Sequence, residues 1–531
     1  MPSKRLQVQH FFDGGWATDF GPVYLGVPDY YTKRLAIPFL STAQDIEFML
    51  DGAPKKLGGT VKLNASALAQ TGITGIFDYW HQGASGTPAR RRVAFAGTAI
   101  YADANDAVFT NVLKTGLTAA ATPCFGQLND LLVLCTDDLS AVPMSWDQTT
   151  FQNLAGSPPA FQWCVPHNGY LFAGGDPANP SRLYYSSYKD PTTWTGGTSG
   201  TIDINISDGD SLLGAASYNG VLFIFKGPNK CSIWTLTGKS NADFALPPVY
   251  RTGISAAWQN AIFPYNGDIG FLSPTGIVSS LQTTAAAGGY VQNSLSRPIN
   301  SWLQQHLNFA KLRKSWIVND ALRERVYFAL PIDGSAVPNV LLEMDYRFTP
   351  PRWSKLSSYS FITALGLFNE GSQIQTIGAG GDGYLRKMFQ EACTLDTGNS
   401  ISGIAQTPFL NYGDSYTAKT IGAMGISIVP KGNYPIFMDW QRDNNAPQTI
   451  SFTQAGGGGG QLGVVASNQF MLDSSTLNAA SYADLYNDTE NFGEFRGVQY
   501  SFRNGSYNQD MEVHGFTSSI ESDGLTSEAA L

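Results

Sequence analysis

The amino-acid sequence predicts an all-β protein, a β-propeller with an additional β unit at its C-terminal end. Three observations support this fold class. Charged residues make up only 14% of the 531 residues, against roughly 25% in an average domain, so few residues are left for the charged faces of helices. The chain contains 56 Gly, 24 Tyr, 31 Phe and 11 Trp, residues that suit tight turns and pleated sheets. Short signals for a turn and a strand also recur along the chain.

The recurring signal is a turn followed by an apolar strand and then by a strand rich in aromatic residues. Its first residues are Gly97, Asn129, Asn168, Asn219 and Asn266, so successive starts are 32, 39, 51 and 47 residues apart. Periods of roughly 40–50 residues with several strands each are typical of propeller blades, whereas stacked sandwiches space their turns by about 8–12 residues. A single blade cannot bury both of its faces, but a closed ring of blades can.

This pattern divides the chain into three predicted regions. Residues 1–60 form an extended N-terminal segment, residues 61–400 form the blades, and residues 401–531 form an acidic β unit with a tail. One helix is predicted at residues 301–307, because apolar residues recur there at helical spacing after Pro298. Strands of the last region are predicted at residues 423–429, 436–440, 498–502 and 511–516.

Negative charge is concentrated in the last of these regions. Residues 1–400 carry 28 basic and 29 acidic side chains, whereas residues 401–531 carry 5 basic and 13 acidic ones, a net charge of −8. Two interpretations stay open, a solvated acidic surface with a loose tail or a face that repels polyanions.

Basic residues form only two small clusters. One comprises Arg90, Arg91 and Arg92, and the other comprises Lys311, Arg313 and Lys314. A protein that grips nucleic acid carries a broad basic stripe, so both clusters are interpreted as strand-edge or interface charges.

No catalytic, metal or cofactor site is predicted, and the chain is expected not to be an enzyme. The five histidines are far apart, and the five cysteines are widely spaced without a C-x-x-C pair, which gives no recognisable zinc site. The cysteines are expected to be reduced, packed thiols. The glycines at 456–460 lack the Lys-Ser/Thr of a phosphate loop, and the acidic residues around Gly209 lack the closing Glu of a calcium loop. A glycosidase with two carboxylates from distant blades stays open as an alternative.

Membrane and secretory signals are not expected either. Gly, Ser, Asn or a charged residue interrupts each apolar run before it reaches the 18 or so residues that a membrane helix needs. The first residues have no apolar core behind their charges, so no secretory leader is expected.

Several motifs, in order along the chain, resemble those of tail proteins from short-tailed bacteriophages. Residues 11–22, FFDGGWATDFGP, resemble the family's opening GG-x-N-T-D-x-S-P, with Ala17 in place of Asn and Gly21 in place of Ser. Residues 48–59, FMLDGAPKKLGG, resemble its acidic-Gly-basic turn. The blade text at 184–194 is similar to one in the same group and, more weakly, so is residues 491–497.

The family is that of the tail nozzle, or tail tubular protein B, with its related packaged-DNA stabilisation proteins. The resemblance implies a structural virion protein that forms a homo-hexameric ring below a tail adaptor, with tail fibre or spike proteins as further partners. Such a ring retains the genome and later passes it without sequence preference, and residues 1–60 would dock to the adaptor or the ring. The protein would be made in the host cytoplasm and end in the virion tail.

An acidic channel would let DNA slide, because few phosphates would be neutralised. The channel-lining candidates are Asp484, Asp488, Glu490 and Glu494, and the interface candidates are Arg90, Arg91 and Arg92. Two alternatives remain, a propeller enzyme or lectin that acts on host-surface glycans and a cytoplasmic interaction scaffold.

Overall fold

A computed structural model describes the chain at residues 4–24, 29, 34–82, 86, 88–119, 121–139, 141–246, 250–251, 256–282, 291–371, 373–429, 432, 434–443, 445–453, 483–487 and 493–522. The chain forms two compact units, each built from discontinuous segments. The β-rich first unit comprises Met1–Thr60, Glu343–Ser358 and Phe389–Leu531. The second, the propeller unit, comprises Val61–Leu342 and Tyr359–Met388.

Short strands dominate the whole chain. The strands of the N-terminal segment are β1 (Lys4–Phe12), β2 (Val23–Tyr24), β3 (Arg34–Ile37), β4 (Thr42–Gln44), β5 (Ile46–Phe48) and β6 (Pro54–Lys56).

The strands of the central part follow in groups that correspond to blades. They are β7 (Gly59–Lys62); β8 (Ile73–His81), β9 (Ala89–Ala96), β10 (Ala99–Ala102), β11 (Asn111–Lys114); β12 (Pro123–Leu128), β13 (Leu131–Thr136), β14 (Met144–Trp146), β15 (Phe151–Asn153); β16 (Trp163–His167), β17 (Tyr170–Gly174), β18 (Arg182–Tyr185), β19 (Gly200–Asp203); β20 (Ser211–Tyr218), β21 (Val221–Gly227), β22 (Ser232–Leu236), β23 (Tyr250–Arg251); β24 (Ile262–Tyr265), β25 (Asp268–Leu272), β26 (Val278–Gln282), β27 (Val291–Ser294); β28 (Trp316–Asp320), β29 (Arg325–Leu330), β30 (Val340–Asp345), β31 (Arg352–Leu356); and β32 (Ile362–Glu370), β33 (Gln373–Gly380), β34 (Leu385–Gln390).

The C-terminal part adds nine further strands within the described residues. They are β35 (Gly403–Gln406), β36 (Phe409–Leu410), β37 (Lys419–Ile428), β38 (Pro435–Arg442), β39 (Gln448–Thr453), β40 (Ala483–Asn487), β41 (Glu494–Phe495), β42 (Val498–Asn504) and β43 (Val513–Ser522).

Helical structure is sparse in the described part of the chain. One α-helix, α1, spans Asn300–His306, which confirms the helix predicted at residues 301–307. Short 3₁₀ turns lie at Gln259–Ala261, Arg297–Ile299, Phe309–Lys314 and Ser357–Tyr359. None of these segments has the length and hydropathy of a helix that could cross a membrane.

The propeller unit is a closed ring of seven blades, counted over the described residues. Five blades are antiparallel sheets of four consecutive strands, from blade 1 (β8 to β11) to blade 5 (β24 to β27). Blade 6 begins with β28 and β29, and blade 7 has the order β32-β33-β34-β7. The first strand of each blade contacts the first strand of the next, and β32 contacts β8, which closes the ring. The predicted β-propeller is confirmed.

Alternating side chains on one strand explain how neighbouring blades pack. Successive residues of a strand point to opposite faces of its sheet. In β13, Leu132 and Leu134 pack against blade 1, whereas Val133 faces the core shared with blade 3. Strand β21 behaves in the same way, because Phe223 and Phe225 share a core with blade 5 and their neighbours face blade 3. Burial of each such side chain contributes about 1.5–3 kcal/mol, so each blade depends on both neighbours.

The first unit packs two sheets face to face. One sheet has the order β3-β1-β43-β37-β40, and strands of the other include β2, β36, β42, β35 and β4, with the hairpin β38–β39 joined to β42. The ring of Phe516 lies 5.1 Å from that of Phe502 in the opposite sheet, and Phe12 lies 5.8 Å from Phe502. These aromatic contacts form the core between the sheets.

The predicted N-terminal and C-terminal regions therefore fold together. Strand β1 pairs with β43 over the register Lys4↔Ser522 to Phe11↔Gly515. Residues 1–60 and 401–531 belong to one unit rather than to an extended segment and a separate domain, and residues 343–358 join them. The blades accordingly occupy 61–342 and 359–388. Pairing of strands some 500 residues apart leaves no local pattern in the sequence, which explains the difference.

Candidate functional site

The four predicted channel-lining residues are only partly described. Asp484 lies in β40, where its backbone pairs with Ser427 of β37. Glu494 is exposed in β41 and pairs with Thr420. Asp488 and Glu490 lie outside the described residues. Asp484 and Glu494 therefore belong to strands that pair with the same partner, β37, and their role in a channel stays a prediction.

The three predicted interface arginines lie on β9 of blade 1, and two of them are buried. Arg90 Nε lies 2.6 Å from Asp78 Oδ1, and Arg90 Nη2 lies 2.9 Å from Glu370 Oε1. Arg92 Nη2 lies 2.9 Å from the same Glu370 oxygen. Glu370 ends β32, the first strand of blade 7, so this ion-pair cluster joins the first blade to the last.

Neighbouring charges complete this cluster. Arg92 Nη1 lies 2.5 Å from Asp103 Oδ2, and Arg91 is half-buried and donates to the Arg90 carbonyl. Burial raises the pKa of Glu370, but the charges and hydrogen bonds of Arg92 and Arg90 outweigh it, so that the pKa is lowered. Arg90 and Arg92 are therefore engaged between blades of one chain, and a subunit interface at these residues stays a prediction.

Two cavities lie where the inner strands of the propeller unit begin. A cavity of about 240 Å³ is lined by Thr74, Thr122, Lys314 and Thr363 among others. A smaller cavity of about 40 Å³ shares Thr122 and is lined by Asp137 and Arg313 as well. We call the region around these two cavities, lined by Thr74, Thr122, Asp137, Arg313, Lys314 and Thr363, the axial face. It is the candidate functional site of the propeller unit, because residues from several blades meet there.

Asp137 organises the charges of the axial face. Its carboxylate lies 2.8 Å from Lys314 Nζ and 3.2 Å from Arg313 Nε, and it accepts the Thr122 N–H at 2.7 Å. The 3₁₀ segment Phe309–Lys314 supplies both cations. The second basic cluster of the sequence therefore includes two residues that fasten this segment to blade 2.

Hydrogen bonds between blades fill the axial face with protein groups. Asn260 Nδ2 donates to the Pro123 carbonyl at 3.3 Å, and Trp316 Nε1 donates to the Thr74 carbonyl at 2.9 Å. Thr363 Oγ1 donates to the Ile73 carbonyl at 2.6 Å. These hydrogen bonds position the inner strands. The donors that make them are already engaged within the protein, so a ligand would have to use other polar atoms that line the cavities.

Three cysteines meet in the core between blades 2 and 3. The sulfur atoms of Cys124, Cys135 and Cys164 lie within 4.8 Å of one another, and all three residues are buried. We call this group the thiol cluster. The sequence predicts packed thiols but does not show that three of them meet. The turn at Asn129-Asp130 is the sequence feature that indicates the first pair. Cys124 and Cys135 are equally distant from this turn and therefore lie directly opposite each other in the hairpin.

No family model matches the chain, and no curated protein matches it. Among solved structures, the chain is similar to the β-propeller domain of Cps50 (Swd1) from Myceliophteria thermophila, at 7% identity and a TM-score of 0.41, over 63% of this chain and 99% of that one. It is also similar to YCF48 bound to D1 peptide, at 9% identity and a TM-score of 0.37, over 63% of this chain and 96% of that one.

A third similar structure is an enzyme. It is the exo-β-1,3-galactanase of Phanerochaete chrysosporium, at 9% identity and a TM-score of 0.28, over 87% of this chain and 100% of that one. At these TM-scores the likenesses carry no argument about function.

Proposed function

We propose that this protein is a structural subunit of a phage tail nozzle, which forms a ring-shaped channel that retains and then passes the genome. The observation that carries the proposal is the position of the motifs in the first unit. The opening motif at 11–22 begins at the end of β1, the acidic-Gly-basic turn joins β5 to β6, and residues 493–497 lead into β42. Three of the four motifs thus belong to one folding unit although they are far apart in the sequence, whereas the blade text at 184–194 lies in the propeller unit.

The conformation of these motifs supports a structural role for their glycines. A Cβ atom on Gly14 would lie 1.7 Å from the Pro38 carbonyl oxygen, and one on Gly15 would lie 2.8 Å from the Trp353 nitrogen. Gly52 has a φ of +91°, and a Cβ atom there would lie 2.2 Å from the Phe12 carbonyl oxygen. Only glycine fits at such close approaches, so these motif residues shape the fold of the first unit.

The proposed partners and passage of DNA follow from the same proposal. The protein would assemble as a homo-hexamer below an adaptor, and tail fibre or spike proteins would attach nearby. A chain with a net charge of −9 neutralises few phosphates, so DNA would pass without being held.

The experiment that tests this function is quantitative mass spectrometry of density-purified virus particles, scaled to the major capsid protein. Six copies per particle are expected. Absence from the particles would contradict the proposal and would favour the scaffold alternative. Specific binding on a glycan array, or glycan hydrolysis that is lost when two carboxylates are substituted, would favour the glycan-acting alternative.

A further inference from the structure

The thiol cluster is built from two blades of the propeller. Cys124 and Cys135 face each other on β12 and β13 of blade 2, and Cys164 comes from β16 of blade 3. The exposed fractions of Cys124, Cys135 and Cys164 are 6%, 1% and 2%. Three thiols from separate strands therefore point to one place, away from bulk water.

The spacing of the sulfur atoms suits a metal ion in trigonal coordination. A metal–sulfur distance of about 2.3 Å places three such ligands roughly 4 Å apart. The sulfur atoms already lie within 4.8 Å of one another, so only a small contraction would be needed.

Neighbouring backbone groups favour this arrangement. The Cys164 N–H donates to Cys124 Sγ over 3.5 Å, a contact that stabilises a thiolate and orients it. A Cβ atom on Gly126 would lie 2.8 Å from Cys164 Sγ. The glycine therefore leaves room for this sulfur atom.

One cavity of the axial face adjoins the thiol cluster. Cys124 lines the cavity of about 40 Å³, together with Asp137, Gln162 and Trp163. An ion that enters this cavity would therefore reach Cys124, one of the three residues of the cluster.

We propose that the thiol cluster binds one copper ion, Cu(I), through its three sulfur atoms and thereby ties blade 2 to blade 3. Soft thiolate ligands select Cu(I). Structural zinc is almost always four-coordinate, and among the described residues the cluster has no fourth His, Cys, Asp or Glu ligand. The displaced thiol protons pass to solvent and the copper stays Cu(I), so the step involves no oxidation. This site is independent of the function proposed above.

The test is a titration of the reduced full-length protein with Cu(I), without oxygen, against a chromophoric Cu(I) chelator. The protein is expected to take one equivalent, to show only sulfur neighbours in X-ray absorption spectra, and to melt at a higher temperature when loaded. Cys135→Ser and Cys164→Ser should each lose the equivalent. Cys231→Ser is the matched control, because Cys231 is also buried in the propeller unit but lies outside the cluster.

Gly126→Ala provides a second variant that keeps all three thiols. The added methyl group should displace Cys164 Sγ and weaken Cu(I) binding, although the number of titratable thiols after denaturation is unchanged. The proposal would be overturned if the unaltered protein took no equivalent, if the serine variants bound as well as the control, or if Zn(II) were held in preference. The proposal would also be overturned if the protein formed a Cys124–Cys135 disulfide in place of binding copper. Mass spectrometry would show this as a mass lower by two hydrogen atoms.

Discussion

Glu370 is the carboxylate that two buried arginines share. Its oxygens accept from Arg90 and Arg92 at 2.9–3.0 Å, and its side chain is only 7% exposed. Removal of one partner from a buried ion pair costs about 3–5 kcal/mol. The lower end of this range applies to Glu370, because Arg90 keeps Asp78 and Arg92 keeps Asp103 as partners. Glu370 is therefore the carboxylate through which blade 7 pairs with both arginines of blade 1.

We expect Glu370→Gln to lower the free energy of unfolding by about 3 kcal/mol, measured by urea denaturation. The matched control is Asp203→Asn, which breaks a pair with Arg182 in which both side chains are 35% exposed. Its cost should stay at or below about 1 kcal/mol, because water screens such pairs. Equal costs for the two variants would show that the arginine cluster does not hold the blades together.

His514 lies between two carboxylates in the first unit. Its Nδ1 lies 2.5 Å from Asp51 Oδ2, in the acidic-Gly-basic turn, and its Nε2 lies 2.8 Å from Glu512 Oε1. Burial lowers the pKa of His514, but the hydrogen bonds and charges of Glu512 and Asp51 outweigh it and raise the pKa above its usual 6.5. Both ring nitrogens can then donate at once.

The sign of the pH dependence follows from this raised pKa. The stabilisation is complete below the unfolded pKa of about 6.5 and is lost as the pH rises through the higher folded pKa. His514→Gln should therefore destabilise the protein more at about pH 6 than at about pH 9, as measured by urea denaturation at both values. In a protein that carries Asp51→Asn, the difference between the effects of His514→Gln at the two pH values should be smaller. A destabilisation that is equal at the two values would exclude the charged pair.

At the scale of strands, local turn chemistry could be predicted and distant pairing could not. Asn168, Asn219 and Asn266 have φ values of 48°, 48° and 42°, and the glycine after each is also at positive φ, as two-residue hairpin turns require. A turn of this kind depends on two residues, so the sequence is sufficient to predict it. The pairing of β1 with β43, by contrast, depends on the fold of everything between them.

In the candidate sites too, local contacts could be predicted from the sequence and contacts between blades could not. The hairpin at Asn129-Asp130 is sufficient to place Cys124 opposite Cys135, but Cys164 joins them only because blade 3 packs on blade 2. Likewise, the sequence shows three adjacent arginines, but the partner of two of them, Glu370, lies about 280 residues away. Contacts between blades are decided by the closure of the ring, which no local pattern records.

At the scale of the whole molecule, the chain closes its propeller with residues that precede the first blade. Strand β7 completes blade 7, whose other strands lie more than 300 residues later. Such a closure joins the two ends of the ring and costs conformational entropy. Residues at this junction therefore hold the ring closed.

Asn64, which follows β7, fastens this junction. It is buried, its Nδ2 donates to the Gly383 carbonyl at 3.2 Å, and its Oδ1 accepts the Leu385 N–H at 2.7 Å. Asn64→Ala would leave the Leu385 N–H unpaired in the interior, at a cost of about 1–3 kcal/mol, whereas the Gly383 carbonyl would still accept the Leu68 N–H. We expect the variant to speed amide hydrogen exchange in β34 and β8, next to the closure, and to leave blade 4 close to its original rate.

The conservative variant separates this effect from general loss of packing. Asn64→Asp keeps an acceptor for the Leu385 N–H and loses the amide donor to the Ser66 and Gly383 carbonyls. Its exchange rates in β34 should therefore fall between those of Asn64→Ala and the unaltered protein. If exchange rose equally in all blades of both variants, the ring would open as one unit and Asn64 would not be a local fastener. If exchange rose in blade 7 first, closure by the N-terminal segment would be the weakest point of the ring, because every other junction is made by strands that follow one another along the chain.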